Sequence, residues 1–501
     1  MIKPGKQVAE GAAYISLQFI ASLSSGYIFW IILSRITTTE IIGTFSVIVS
    51  LADIFANIAI IGIPDAIERF LAKSFSENKL YDAKVFLKAS ILFLSLGILG
   101  CSIAILIARG LIHEAFRIDF TLVIIVIIVT ASSSIFALLN SIVIASLKTK
   151  VLPKIVIISS TAKIVLAIIL VLIGGGVIGL TVGYILFGQI LSSILLCIVV
   201  VTIFKLSASK QKEEEKNSVI TFKYASKSLL IASAASWIPL LVPTIGTDLG
   251  ALVLFGSQGS NQAGVYFIAL TIYTGITSIT YSIFTAGLPA LSAMKDGRKR
   301  FAWQTIRLSS IISVPISSAF IFYSKEIMQL LGHQYIAGSL SLQVLLLPML
   351  PTAVMMGIDT LVYSTGRYRQ SLIIGLGINI PRVILYFILV PIYGSTGAAI
   401  SYSVGSVTGF VVSILIAERI GMQISWKYLA FILIIPTGLA FTLYYFHVNY
   451  ILGIITTIII SLLLFLKLRI LNSSDVDDVI HILPHNISNP IMSLLRRFDK
   501  K

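Results

Sequence analysis

Residues Asn140–Lys163 read NSIVIASLKTKVLPKIVIISSTAK, and residues Asp359–Arg382, 219 positions later, read DTLVYSTGRYRQSLIIGLGINIPR. Identity between them is poor: only Val143/Val362 and Ile155/Ile374 coincide. The chemistry matches better, because Lys148 falls on Arg367, Lys150 on Arg369 and Lys163 on Arg382. After a one-residue gap, Gly176-x-x-Gly179 with Tyr184 falls on Gly394-x-x-Gly397 with Tyr402. Each copy predicts an apolar helix, a short basic turn, an apolar helix with one buried cation, then a glycine-marked turn into another helix. Chance is the competing reading, since apolar sequences align easily. Cations and glycines falling in register together favour a true repeat. Internal repeats with a site between the halves are a common transporter plan.

Working outward, composition fixes the class. Of 501 residues, 57% are hydrophobic and 12% charged, against about 25% charged in an average soluble domain. Runs of about 20 apolar residues span a bilayer, and a spanning segment must satisfy its own backbone. The chain therefore reads as an all-α polytopic membrane protein. Fourteen spans are expected, at roughly 12–33, 41–63, 85–108, 120–146, 155–173, 180–204, 228–255, 263–290, 304–323, 339–364, 371–390, 396–417, 428–446 and 450–468. The expected organisation is an N-lobe of helices 1–6 (1–206), a cytoplasmic linker (207–227) and a C-lobe of helices 7–12 (228–418). Helices 13–14 (419–468) and a cytoplasmic tail (469–501) follow. The two six-helix lobes are expected to be pseudo-symmetric.

Charge sets the topology. Assigned to loops, the N-terminus, the even-numbered loops and the tail hold 29 Lys and Arg, and the odd-numbered loops hold 4. By the positive-inside rule both termini lie in the cytoplasm and the span count is even. The same distribution explains the net charge of +16 without nucleic acid. The opening MIKPGKQVAE is short and basic, and the apolar run after it has no small-residue cleavage site. The tail ends NPIMSLLRRFDKK, which could lie on the inner leaflet with Ile491, Leu494, Leu495 and Phe498 down. The sequons at Asn472 and Asn486 fall on the cytoplasmic side and should be silent.

Catalytic and cofactor chemistry is not legible. There is no phosphate-binding G-x-x-x-x-G-K-[ST] loop, no H-E-x-x-H and no metal cluster, so no catalytic residue, metal ligand or cofactor is assigned. The five histidines are scattered. Cys101 and Cys197 sit in apolar runs and read as small core residues.

The informative residues are charges at membrane depth, where an ionisable side chain costs about 2.5–3.5 kcal/mol. Lys163 and Arg382 occupy equivalent repeat positions, and two cations facing one cavity would suit a phosphate or diphosphate. The alternative pairs them internally with Asp53, Asp248 or Asp359. Arg35, ending the first span, is a third cavity candidate, although a residue so placed more often snorkels than binds. Asp53 and Asn57 share a helix face four residues apart, and Asp248 lies in a span containing Pro239 and Pro243. With Asp359 they are candidates for H+ or Na+ coupling, or structural counter-ions. Glu68, Arg69 and Lys73 read as the solvated face of an inner helix.

Three segments then carry a resemblance. Gly62-Ile-Pro-Asp-Ala66-Ile-Glu-Arg69-Phe70-Leu-Ala72 resembles the G-x-x-x-A-[LI]-x-R-[FY]-[LIV]-A segment of oligosaccharide flippases. These form the polysaccharide-transporter branch of the multidrug/oligosaccharidyl-lipid/polysaccharide exporter superfamily. Gly264-Val-Tyr266-Phe-Ile-Ala269 is similar to that family's G-x-Y-x-x-A opening of the eighth helix. Pro289 follows in the expected place, although Ala290 stands where an arginine is common. Leu389-Val-Pro391-Ile-Tyr393-Gly394-Ser-Thr-Gly397-Ala398-Ala399 resembles the family's L-x-P-x-[YF]-G-x-x-G-A-A turn.

The resemblance implies a flippase, not an enzyme. It would move a polyprenyl phosphate- or diphosphate-linked oligosaccharide from inner to outer leaflet of the plasma membrane by alternating access, for surface glycan assembly. Implied partners are that lipid-linked oligosaccharide, membrane lipid, H+ or Na+, and glycan-assembly proteins. The alternatives are a cation-coupled multidrug exporter of the same superfamily, a membrane glycosyltransferase, or a scaffold of a polysaccharide assembly system. Two buried cations speak against the first, and short outer loops against the second.

Overall fold

The computed structural model describes residues 4–77, 79–209, 220–294, 296–468 and 470, and among them the secondary structure is entirely helical. The expected tail (469–501) and the centre of the expected linker (210–219) lie outside the described residues, save Ile470. The chain forms two compact units, Met1–Gly264 and Val265–Lys501.

The first unit contains α1 (Pro4–Ile36), α2 (Thr39–Ile60), α3 (Ile63–Ser76), α4 (Leu80–Ile107) and α5 (Arg109–Phe116). It continues with α6 (Phe120–Ala145), α7 (Leu152–Leu170), α8 (Gly176–Tyr184), α9 (Leu191–Ser209) and α10 (Phe222–Gln258). The second carries α11 (Ser260–Ala293), which begins at the boundary, then α12 (Arg298–Phe322), α13 (Ser324–Leu331), α14 (Ser339–Leu346) and α15 (Met349–Ser364). It ends with α16 (Tyr368–Arg419), α17 (Trp426–Tyr445) and α18 (Tyr450–Lys467). The division falls at 264/265, and α10 packs against α2, α3 and α4.

Among the described residues, ten helical stretches are long and apolar enough to cross a membrane, and the bent pair His333–Leu346 and Met349–Ser364, taken as one span, makes eleven. Two of them are too long for one crossing. Thr149–Lys205 has 57 residues, about 85 Å of helix at 1.5 Å per residue, against a hydrocarbon core of about 30 Å. It breaks at Gly174 (φ 92°, ψ 12°) and Gly176 (φ 51°, ψ −133°). The 52-residue α16 breaks at Gly394 (φ 56°, ψ −133°). Gly176 and Gly394, matched in the repeat, thus share one backbone conformation that side chains strongly disfavour. The next matched glycines share a packing role. A Cβ on Gly179 would strike the Leu170 carbonyl, and one on Gly397 the Leu389 carbonyl.

The family-like segments have physical reasons too. Gly62 turns the chain from α2 into α3 at φ 71°, and a Cβ there would meet the Ser233 carbonyl and Ser236 Oγ on α10. Pro64 sits in the first turn of α3, where a missing N–H costs nothing. Ile63, Ala66, Ile67 and Leu71 bury one stripe of α3, while Arg69 and Lys73 are exposed. Tyr266, Ala269, Ala398 and Ala399 are fully buried. Cys101 is buried as expected, but Cys197 is exposed. Its place in an apolar run gave no hint of this, because a lipid-facing helix side is as apolar as a core.

Candidate functional site

In the first unit, Lys163 projects from the middle of α7. Its ammonium lies 4.7 Å from the centroid of the Tyr184 ring and 5.0 Å from that of Phe29. Phe29 comes from α1, and Tyr184 ends α8, where the helix widens into a π-turn over Ile185–Ile190. Gly188 in that turn gives the lysine stem its room, since a Cβ there would come within 3.0 Å of Lys163 Cδ. Tyr184 is itself fixed edge-on to Phe45 of α2, with ring centroids 5.2 Å apart at 76°. Lys163 is half-buried and forms no ion pair among the described residues. The expected internal pairing with Asp53 or Asp248 is not formed there.

The second unit repeats this arrangement around Arg382. Its guanidinium lies 3.7 Å from the centroid of the Tyr402 ring, which meets Tyr273 edge-on (5.3 Å, 78°). Nη1 donates to Asn379 Oδ1 at 3.4 Å, and Nη2 donates to the Tyr402 carbonyl at 3.4 Å and Ser406 Oγ at 3.3 Å. Nε has no hydrogen-bond partner. Arg382 is 4% exposed, and its partners Asn379, Ser406 and Tyr402 are all neutral. Gly405 permits this approach, because a Cβ there would press on Arg382 Cβ.

The acidic candidates fall into two places. Ser50 and Asp53 lie on one face of α2, and Ser50 Oγ donates to Asp248 Oδ1 of α10 at 3.3 Å. Asn57 Nδ2 donates back to the Asp53 carbonyl at 2.9 Å. Asp248 thus meets α2 at Ser50, one turn before Asp53, while Asn57 meets α10 further along, its carbonyl accepting from Trp237 Nε1 at 2.9 Å; α2 also supplies Phe45 to the aromatic group around Lys163. Asp359 lies near the end of α15 in the other unit, with Oδ1 buried and unpartnered. Arg35 is exposed in the last turn of α1. No set of three or more His, Cys, Asp or Glu among the described residues could hold a metal.

Sequence reasoning missed Phe29, Phe45, Asn379 and Ser406. Tyr184 and Tyr402 were visible only as repeat markers. The spacing signals them: each tyrosine follows its cation by 21 or 20 residues across a glycine turn.

Residues 8–295, more than half of the chain, match the family described as "Polysaccharide biosynthesis protein". No curated protein matches the sequence. Among solved structures, a lipid II flippase MurJ in an inward closed conformation is similar at 18% identity, covering 91% of this chain and 98% of that one, with TM-score 0.71. An inward-facing multidrug resistance MATE family transporter of the MOP superfamily is similar at 16% identity, covering 80% and 94%, with TM-score 0.59. The Vibrio cholerae MATE transporter VcmN is similar at 13%, covering 83% and 96%, with TM-score 0.54. At these identities the likeness shows a common fold.

Proposed function

The chain belongs to the polysaccharide biosynthesis protein family, and on that premise we propose that it is a flippase for lipid-linked oligosaccharide. The substrate is a sugar carried on a polyprenyl phosphate or diphosphate. Its headgroup crosses from the inner to the outer leaflet of the plasma membrane by alternating access, while the tail stays in lipid. Both termini are cytoplasmic, in keeping with the 29-to-4 division of loop cations. The protein moves its substrate without making or breaking covalent bonds in it.

The observation that carries this reading is Lys163: a cation in the middle of a membrane-spanning helix with ring faces around it and no carboxylate partner among the described residues. Such a charge is satisfied by an anion. Arg382, clasped by neutral groups, is the second candidate contact in the other unit. An inside-negative potential favours outward movement of an anionic headgroup, by about 2.3 kcal/mol per charge per 100 mV. Exchange of H+ or Na+ at Asp53, Asn57 and Asp248, with Asp359 as a further candidate, is a compatible coupling device.

A second reading, a cation-coupled multidrug exporter, is favoured by Asp248 meeting α2 at Ser50, three residues before Asp53. One assay separates the two. Proteoliposomes are loaded either with fluorescent polyprenyl diphosphate-linked sugar or with a cationic dye. Delivery of the sugar lipid to the opposite leaflet, lost in Lys163→Ala, is expected. Dye transport without sugar-lipid transport would overturn the flippase reading.

A further inference from the structure

We propose that Tyr184 and Tyr402 are positioning residues for the anionic headgroup: each holds its unit's cation by a ring face and so leaves the positive charge unneutralised. The proposal rests on the flippase reading above and names how that site is kept ready.

A lysine or arginine in a membrane span must be compensated. The usual means is a carboxylate, which would cancel the charge and compete with a phosphate for the same donors. A ring face does neither. It attracts a desolvated cation through its quadrupole, yet carries no formal charge and takes up no N–H donor. Lys163 has two such faces, Tyr184 and Phe29. Arg382 has one, closer, and its donors are only lightly engaged. Bonds of 3.3–3.4 Å to Asn379, Ser406 and the Tyr402 carbonyl are longer than the roughly 2.9–3.0 Å that N–H···O contacts favour. Nε is unused. A phosphate oxygen offers all these donors a charge-assisted bond, about twice as strong as a neutral one. Neutral partners are therefore exchanged for an anion at little cost.

The rings are themselves fixed. Tyr184 stands edge-on to Phe45, and Tyr402 edge-on to Tyr273. Each ring is thus held on one side while its face lies against the cation, the arrangement expected of a support built before the ligand arrives. It occurs at matched repeat positions, Lys163 with Tyr184 and Arg382 with Tyr402. Two unrelated packing accidents would have no reason to coincide with the repeat register.

The test uses the full chain in nanodiscs and farnesyl diphosphate as probe, a polyprenyl diphosphate without sugar. Binding is measured for Tyr184→Phe, Tyr184→Leu, Tyr402→Phe and Tyr402→Leu, and for both leucine changes in Lys163→Met and Arg382→Met backgrounds respectively. The phenylalanine variants keep the ring face and should bind within about threefold of wild type. The leucine variants should bind about 3- to 30-fold more weakly, the range of a cation–π contact. In the Lys163→Met background, Tyr184→Leu should have no further effect, and likewise Tyr402→Leu with Arg382→Met. Tyr184→Met and Tyr402→Met replace any leucine variant that fails to insert. If a leucine variant binds as tightly as wild type, or loses affinity equally with and without its cation, the ring does not act through the cation and the proposal is overturned alone. If Lys163→Met and Arg382→Met themselves bind like wild type, the headgroup site is elsewhere and the flippase site assignment falls with it.

Discussion

The Arg382 guanidinium stacks on the Tyr402 ring at 3.7 Å from its centroid, and no carboxylate shares the site among the described residues. Removing the arginine therefore leaves no opposite charge stranded. A buried cation without a counter-ion is costly to insert. Arg382→Ala should accordingly insert and unfold at a temperature within a few degrees of wild type, while transport of sugar lipid falls by at least about tenfold, the worth of one charge-assisted bond. Arg382→Lys should retain part of the activity. Its single ammonium attracts phosphate but cannot reach Asn379 and Ser406 together as the planar fork does. Parallel measurement of thermal unfolding and proteoliposome transport checks both. Wild-type transport by Arg382→Ala would remove Arg382 from the substrate path.

Gly176 and Gly394 are expected to be irreplaceable for a backbone reason. Both have positive φ with ψ −133°, a region nearly closed to residues with a Cβ. Nothing lies within 4 Å of a Cβ built on Gly176, so Gly176→Ala reports strain alone. The variant should lose about 1–3 kcal/mol, read as lower thermal stability in detergent. Gly100→Ala in α4, where a Cβ also meets nothing within 4 Å at ordinary φ, should show no such loss. Equal stability of the two variants would refute the strain argument.

These glycines show what the sequence could and could not reveal. The helical membrane class, the two glycine turns and the repeated cation positions were legible, because apolar run length and φ > 0 leave local marks. The expected fourteen spans are not matched one by one: among the described residues there are ten long apolar stretches, or eleven with the bent pair 333–364, and two of the ten run on through glycine breaks. The surroundings of Lys163 were not legible. Phe29 reaches it from α1, more than 130 residues away in sequence, and aromatic residues abound in every span. Nor could periodicity say that Arg382 would be clasped by Asn379 and Ser406 instead of an acid. The family-like segments proved easiest to read physically: Gly62, Gly394 and Gly397 are turn or close-approach residues, so their pattern marks the fold more than the substrate.

Orientation is open to chemical labelling. In a background with Cys101 and Cys197 replaced by alanine, single cysteines at Ile173, Gly259 and Tyr393 should react with an impermeant maleimide added to intact cells. All three positions are exposed and sit at turns assigned to the outside by the positive-inside rule. Cysteine at Lys212 or Lys427 should react only after permeabilisation. Labelling of Lys212→Cys in intact cells would invert the topology.

Stability should also depend on pH through Glu68. This side chain is half-buried on α3, three residues after Asp65. Burial first, and repulsion from Asp65 second, push its carboxyl up from the ordinary 4.5 to about 7. A raised acid binds its proton more tightly in the folded chain than in the unfolded one. Its contribution to stability is therefore complete below about pH 4.5 and is lost as pH rises through about 7. Glu68→Gln mimics the protonated form at every pH. The unfolding temperature of wild type should thus approach that of Glu68→Gln near pH 4.5 and fall progressively below it between about pH 5 and 8. Asp65→Asn removes the smaller cause only, so it should reduce that pH-dependent gap without abolishing it. Thermal unfolding of the purified protein at a series of pH values measures all three. A gap between wild type and Glu68→Gln that stays constant across the range would show that Glu68 titrates alike in the folded and unfolded chains.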